Sequence, residues 1–190
     1  MQVKCAHPGR TVVGHPFNPV YLIPLVEVVP GAKTDTAAAD WAKAFYDHAG
    51  KAAILCKDGI PGFLANVLQD AMWMQALHMA KRGDASVEDL DKSVVDGPGL
   101  RWAMTGPFFT FHLGGGAGGM RHNLAQFGPG LEEPYSLVPP VGRDQAAEDA
   151  VSDACERMAG GRGYEELVHA RDKCLVAILK AVAEWRATFR

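Results

Sequence analysis

A chain of 190 residues, 48% hydrophobic and 22% charged, is composed to bury a core, as one domain or as a domain with a smaller appendage. Its 19 basic and 22 acidic residues and the lack of any long basic run exclude an electrostatic case for binding nucleic acid or an anionic membrane. No apolar run reaches bilayer length and Met1–Cys5 leads into no signal-peptide core, so a soluble cytoplasmic protein is the default expectation.

Near the N-terminus, Thr11-Val12-Val13 reads as a buried strand ending at the turn Gly14-His15-Pro16-Phe17-Asn18-Pro19, and Leu25–Val29 reads as a second strand. Glu27 is the anomaly of this region. A carboxylate among Leu25, Val26, Val28 and Val29 is costly to desolvate without a partner, and His15 is the nearest suitable one. Histidine can accept and return a proton near neutral pH, and a carboxylate on its other ring nitrogen would fix the tautomer. The alternative is that Glu27 alternates outward and His15 is an ordinary turn residue.

After the turn Pro30-Gly31, Thr34 or Asp35 caps a predicted helix to about Ala49, with Ala38, Trp41, Ala42, Phe45 and Tyr46 on one face. Ala52–Cys56 is a third short strand, followed by a turn at Lys57-Asp58-Gly59. The longest helical pattern then runs from Phe63 to about Arg82, apolar on more than one face, as suits a central bundle helix or half of an oligomer interface. Ser86 and Asp89 form a capping-box-like start to a short helix reaching about Val95.

Gly114, Gly116 and Gly119 spell the G-x-G-x-x-G dinucleotide fingerprint, and Phe108–Leu113 before them passes for a strand. That fingerprint works only inside a strand–turn–helix–strand unit, and no returning strand follows, so a plain turn is expected. Helices are predicted over Asp144–Met158 and Tyr164–Phe189, the latter with Leu167, Ala170, Cys174, Ile178, Ala181 and Trp185 along one side. The four cysteines, Cys5, Cys56, Cys155 and Cys174, show neither metal nor disulfide spacing and read as reduced thiols, mostly buried; no metal site is expected.

Three ordered motifs resemble the later half of the L-3-hydroxyacyl-CoA dehydrogenase family: Val13–Pro19, Pro24–Val29 and Asp58-Gly59-Ile60-Pro61-Gly62-Phe63-Leu64-Ala65-Asn66. Gly97–Ala103, Gly106-Pro107-Phe108, Gly118–His122 and Phe127-Gly128-Pro129 narrow the likeness to the carnitine 3-dehydrogenase and lambda-crystallin (gulonate 3-dehydrogenase) branch. The resemblance implies NAD as cofactor and a small-molecule hydroxy acid or acyl-CoA as substrate. It implies a catalytic set in which His15 is the general base, Glu27 orients it and Asn66 donates to substrate, with Asn18 shaping the loop or touching cofactor or substrate. For Asn66 the competing assignment is a helix N-cap.

The expected fold is mainly α, a helix bundle of the 6-phosphogluconate dehydrogenase C-terminal type with a short strand cluster at the N-terminus. Residues 1–58 would be the end of the nucleotide-binding domain and residues 59–190 a helical substrate and dimerisation domain, pairing as a homodimer through helix 63–82. The family's Rossmann glycine fingerprint and active-site hydroxyl residue have no counterpart here, so the expectation is a chain without its Rossmann domain that holds NAD poorly alone. Alternatives are a catalytically inactive dimerisation module, or a module binding a quaternary ammonium through Trp102, Phe108, Phe109 and Phe111, aromatics that core packing would equally explain. Arg101 or Arg121 could receive a free carboxylate, or serve as plain surface residues.

Overall fold

The computed structural model describes residues 2–57, 62–103, 105–115, 117, 119–127, 146, 161, 162 and 164–188. Two compact units divide the chain, Met1–Ala71 and Met72–Arg190. Among the described residues the structure is mostly helical with one three-stranded sheet, as expected in outline.

The first unit is built on β1 (Val12–Pro16), β2 (Leu25–Pro30) and β3 (Ala52–Leu55), in the order β1-β2-β3. β1 runs antiparallel to β2, and β2 parallel to β3 through helix α1 (Thr36–His48), a strand–helix–strand crossover. β2 is central because both faces have cover. Val26 and Val28 point to one face and pack with Ala42 and Ala53, flanked by Val12 and Tyr46. Glu27, the residue between them, must point to the other face.

β1 is longer than expected: it does not stop before the Gly-His turn but carries Gly14 and His15 inside the ladder. Gly14 is required there, since a Cβ would collide with the phenol of Tyr46 from α1. α1 buries only part of its predicted face, with Ala42 and Tyr46 at the core. Ala39 and Ala42 are buried, because small side chains let the helix approach the sheet, while Trp41 and Phe45 are exposed and stack on each other at 5.4 Å. Asp35 occupies the N-cap without a side-chain cap bond; Thr34 instead accepts from the Gly31 amide and donates to the Thr11 carbonyl. At the other end, Asp47 takes both the Lys43 ammonium, at 2.7 Å, and the Ala53 amide, at 3.0 Å, tying α1 to β3.

Helix α2 (Leu64–Arg82) begins one residue later than predicted, because Phe63 has φ 66°, in the left-handed region, directly after Gly62 at φ 84°.

In the second unit, α3 (Val87–Val95) opens with the expected cap: Ser86 Oγ accepts from the Asp89 amide at 3.0 Å. α4 (Pro98–Trp102) and α5 (Pro107–Gly114) each start with proline at the first helical position, where no backbone donor is lost. The stretch Phe108–Leu113 that passes for a strand is therefore helical. α6 (Gly119–Phe127) follows at once, and its entry is held by His112 Nδ1 accepting from the Met120 amide at 3.2 Å. α7 (Tyr164–Ala187) is the last helix. Of its predicted apolar face, the described side chains Ala170, Cys174, Ile178 and Ala181 are exposed, and the buried position among the described side chains is Val182. The helix expected over Asp144–Met158 lies, apart from Ala146, outside the described residues.

Of the described cysteines, Cys56 is buried and Cys5 and Cys174 are exposed, so the expectation of mostly buried thiols fails; the exposed pair sit in a 3-10 turn's wake and on a helix surface. No helix is long and apolar enough to cross a membrane, among the described residues.

Candidate active site

His15 and Glu27 are direct cross-strand partners in the β1–β2 register, the arrangement that brings two side chains closest across an antiparallel pair. Their side chains meet: His15 Nδ1 lies 2.9 Å from Glu27 Oε2. Glu27 is fully buried, with 0% of its surface exposed, while the His15 side chain keeps 24%. An ionised carboxylate only accepts, so the neutral imidazole carries its proton on Nδ1 and leaves Nε2 as the basic atom.

The other carboxylate oxygen is also engaged. Glu27 Oε1 accepts the backbone amide of Ala65, at 3.1 Å, from the first turn of α2. That amide is one of the helix's otherwise unpaired N-terminal donors, and the positive end of the helix dipole favours the carboxylate charge. Both oxygens thus have a donor, which is what makes full burial of this charge tolerable.

Phe63 completes the site. Its ring lies flat against the imidazole of His15, with centroids 3.8 Å apart and planes 10° from parallel. A bulky residue in the left-handed region costs about 1–2 kcal/mol, which the rest of the turn must offset. Cys56, at the end of β3, is buried beside this cluster; burial, and secondarily the Glu27 charge, push its thiol above the ordinary 9.0.

Asn66 is exposed on the first turn of α2, next to Ala65, and Asn18 is exposed in the β1–β2 connection, three residues beyond His15. Both belong to the unit that holds the dyad. Arg101, Trp102, Phe108 and Arg121 belong to the second unit and are all exposed. Phe63 and Ala65 were not singled out as site residues by the sequence, which placed Phe63 inside the helix; the available signal was Gly62, a residue able to enter a left-handed turn, set just before an aromatic.

The glycine-rich corner does not fit a pyrophosphate. Gly114 ends α5 and Gly119 begins α6, so no strand leads into the loop. A Cβ on Gly115 would strike the Gly119 carbonyl, and one on Gly119 would meet the His112 ring at 2.7 Å. These glycines let two helices meet at close quarters. No group of His, Cys, Asp and Glu among the described residues is placed to hold a metal ion.

Residues 1–59 match the family model for the NAD binding domain of 3-hydroxyacyl-CoA dehydrogenase, and residues 62–153 match the model for its C-terminal domain. The L-carnitine dehydrogenase of Streptomyces griseus is 52% identical over 95% of this chain and 54% of its own length. That of Streptomyces coelicolor is 51% identical, over 95% and 57%, and that of Pseudomonas aeruginosa 42%, over 97% and 57%. The chain spans about half the length of the curated relatives it matches.

Among solved structures, that of FHMPC 5-dehydrogenase, described as an NAD+ dependent dismutase, superposes with a TM-score of 0.77 at 23% identity, covering 96% of this chain and 59% of that one. A 3-hydroxyacyl-CoA dehydrogenase from Archaeoglobus fulgidus gives 0.52 at 20%, covering 96% and 62%. At those identities the likeness is one of fold.

The two matches, to an NAD binding domain and to the C-terminal domain that follows it, set the chain in a class of NAD-linked dehydrogenases. The chain belongs to the 3-hydroxyacyl-CoA dehydrogenase family, whose cofactor is NAD. Its residues 1–59 carry a recognisable part of the nucleotide-binding domain, so the expectation of a chain without that domain does not stand in so broad a form.

Proposed function

We propose that this chain supplies the acid–base half of an NAD-dependent dehydrogenase that oxidises the secondary hydroxyl of a small 3-hydroxy acid, with L-carnitine the first substrate to test. The observation that carries the proposal is the His15 Nδ1–Glu27 Oε2 contact, closed by the Ala65 amide. L-carnitine is placed first because relatives at 41–52% identity carry that name.

In the oxidative direction His15 Nε2 accepts the hydroxyl proton while the C–H bond of the same carbon breaks and a carbonyl forms. NAD, when bound, takes up the departing hydride. Glu27 holds Nδ1–H throughout and stabilises the imidazolium; in the reverse direction the imidazolium returns the proton to the nascent alkoxide. Asn66, exposed one residue beyond Ala65 on α2, would donate to a substrate oxygen, and exposed Asn18 would meet the cofactor amide.

The division of labour proposed is residues 1–58 for the nucleotide-binding end and 59–190 for a helical substrate and dimerisation part, of the 6-phosphogluconate dehydrogenase C-terminal type. The boundaries of the matched family models, 59 and 62, support it. Homodimerisation through helix 63–82 is supported by exposed Val67, Leu68, Met72 and Trp73 on α2. Exposed Trp102 and Phe108 suit a trimethylammonium group by cation–π attraction, and Arg101 or Arg121 suits a carboxylate. Thermal-shift titration with L-carnitine, gulonate and acetoacetyl-CoA tests the substrate class: stabilisation by L-carnitine alone supports the proposal, and stabilisation only by the thioester overturns its substrate assignment.

A further inference from the structure

The geometry points to Phe63 as a positioning residue: with the Ala65 amide two residues on, it forms a clamp at the start of α2 that fixes His15 in plane and in tautomer. This rests on the reading of His15 as the general base.

A hydrogen bond from Nδ1 to Glu27 fixes where one corner of the imidazole points, but the ring can still roll about that bond. The two contacts from the α2 entry remove complementary freedoms. Ala65 holds the carboxylate at its Oε1, so the acceptor cannot swing, and the Phe63 ring, 3.8 Å away and 10° from parallel, stops the roll. With both in place, the Nε2 lone pair has one direction.

The backbone argues that the ring itself is what this position uses. At φ 66° a glycine or asparagine would sit with less strain than phenylalanine, and Gly62 has already made the turn. The side chain must therefore contribute enough elsewhere, and the ring contact recorded for it is His15. Because Phe63 and Ala65 lie on one short segment, any displacement of the α2 entry loosens plane and tautomer together.

The test is nitrogen-15 NMR of the full chain with labelled histidine, on wild type and on Phe63→Leu, Phe63→Gly and Phe63→Tyr. Wild type should show His15 as a single Nδ1–H tautomer with ring protons displaced upfield by the Phe63 ring current. Phe63→Leu and Phe63→Gly should lose the displacement and show the His15 ring averaged over several orientations while Glu27 still holds the Nδ1–H tautomer, with the other histidine signals unmoved; Phe63→Tyr should restore both the displacement and the single orientation. Glycine accepts the left-handed turn, so that variant answers the question even if the leucine variant fails to fold. His15 ring-proton NOEs to the strand backbone that are unchanged from wild type in Phe63→Gly, showing one fixed ring orientation without the phenyl, would overturn the clamp.

In a dehydrogenase assay with an added nucleotide-binding half, Phe63→Leu should lower kcat about 10- to 100-fold at unchanged KM. Absence of activity in the wild type would defeat the dehydrogenase reading, whereas the NMR result decides the clamp by itself.

Discussion

The backbone amide of Ala65 donates to Glu27 Oε1 across 38 residues of sequence, and it joins a helix start to the carboxylate that grips His15. Glu27 therefore serves two donors from two different elements. Glu27→Ala leaves both His15 Nδ1–H and the Ala65 amide without this acceptor, and orphaned buried donors cost about 1–3 kcal/mol each. Denaturant titration should show a loss of that order. Glu27→Gln should cost less, since the amide oxygen still accepts from Ala65. Its NH2 group, however, turns His15 to the Nε2–H tautomer, visible by NMR. A Glu27→Ala variant as stable as wild type would show that the carboxylate is not structurally engaged.

Gly14 is limited by the Tyr46 phenol rather than by its own backbone. Gly14→Ala should destabilise the first unit by about 1–3 kcal/mol through overpacking. The atom a new Cβ meets first is the hydroxyl, so Tyr46→Phe in the same chain should recover part of the loss. Strict additivity of the two substitutions in a double-mutant cycle would argue against the contact.

Cys56 keeps its proton better than an ordinary thiol, because burial and then the Glu27 charge raise its pKa above 9.0. The unfolded chain ionises this group first. Its contribution to stability is thus complete below pH 9.0 and is lost as pH rises through the raised folded value. Cys56→Ala should flatten the alkaline decline of stability, and in peptide mapping after brief iodoacetamide treatment Cys56 should label far more slowly than exposed Cys5 and Cys174. Equal labelling of the three would refute the assignment.

Asp47 has the opposite sign. The Lys43 ammonium and the Ala53 amide hold its carboxyl below the ordinary 3.8. Its contribution is present above that pH and disappears as pH falls through the depressed folded value. Asp47→Asn should be less stable than wild type at neutral pH and indistinguishable from it at the acid end. A difference that persists unchanged into acid would mean that the charge is not the cause.

The His15–Glu27 pair was legible in the sequence for a physical reason: a carboxylate in a strand of valines demands a partner, and a histidine at the turn ending the preceding strand was the nearest candidate. The capping box at Ser86 was legible because it is local. The clamp was not. It depends on Phe63 leaving the helix for a left-handed turn, a conformation that sequence pattern assigns to glycine first, and on a backbone amide, which carries no residue signature at all. The α1 face was read in part: Ala42 and Tyr46 meet the core as expected, but Trp41 and Phe45 were included because large aromatics dominate a periodicity argument, whereas close helix–sheet packing selected Ala39. The run Phe108–Leu113 looked strand-like by composition, and the decisive cue was Pro107 at a helix start.

The role proposed for His15 Nε2 is that of proton acceptor in a hydride-transfer reaction. The direct measurement is NADH formation from L-carnitine and NAD by the chain supplied with the nucleotide-binding half of the Streptomyces griseus relative, comparing wild type with His15→Gln. Wild type should turn over, and kcat should fall about 10²–10⁴-fold in the variant. Equal turnover by the two would contradict it.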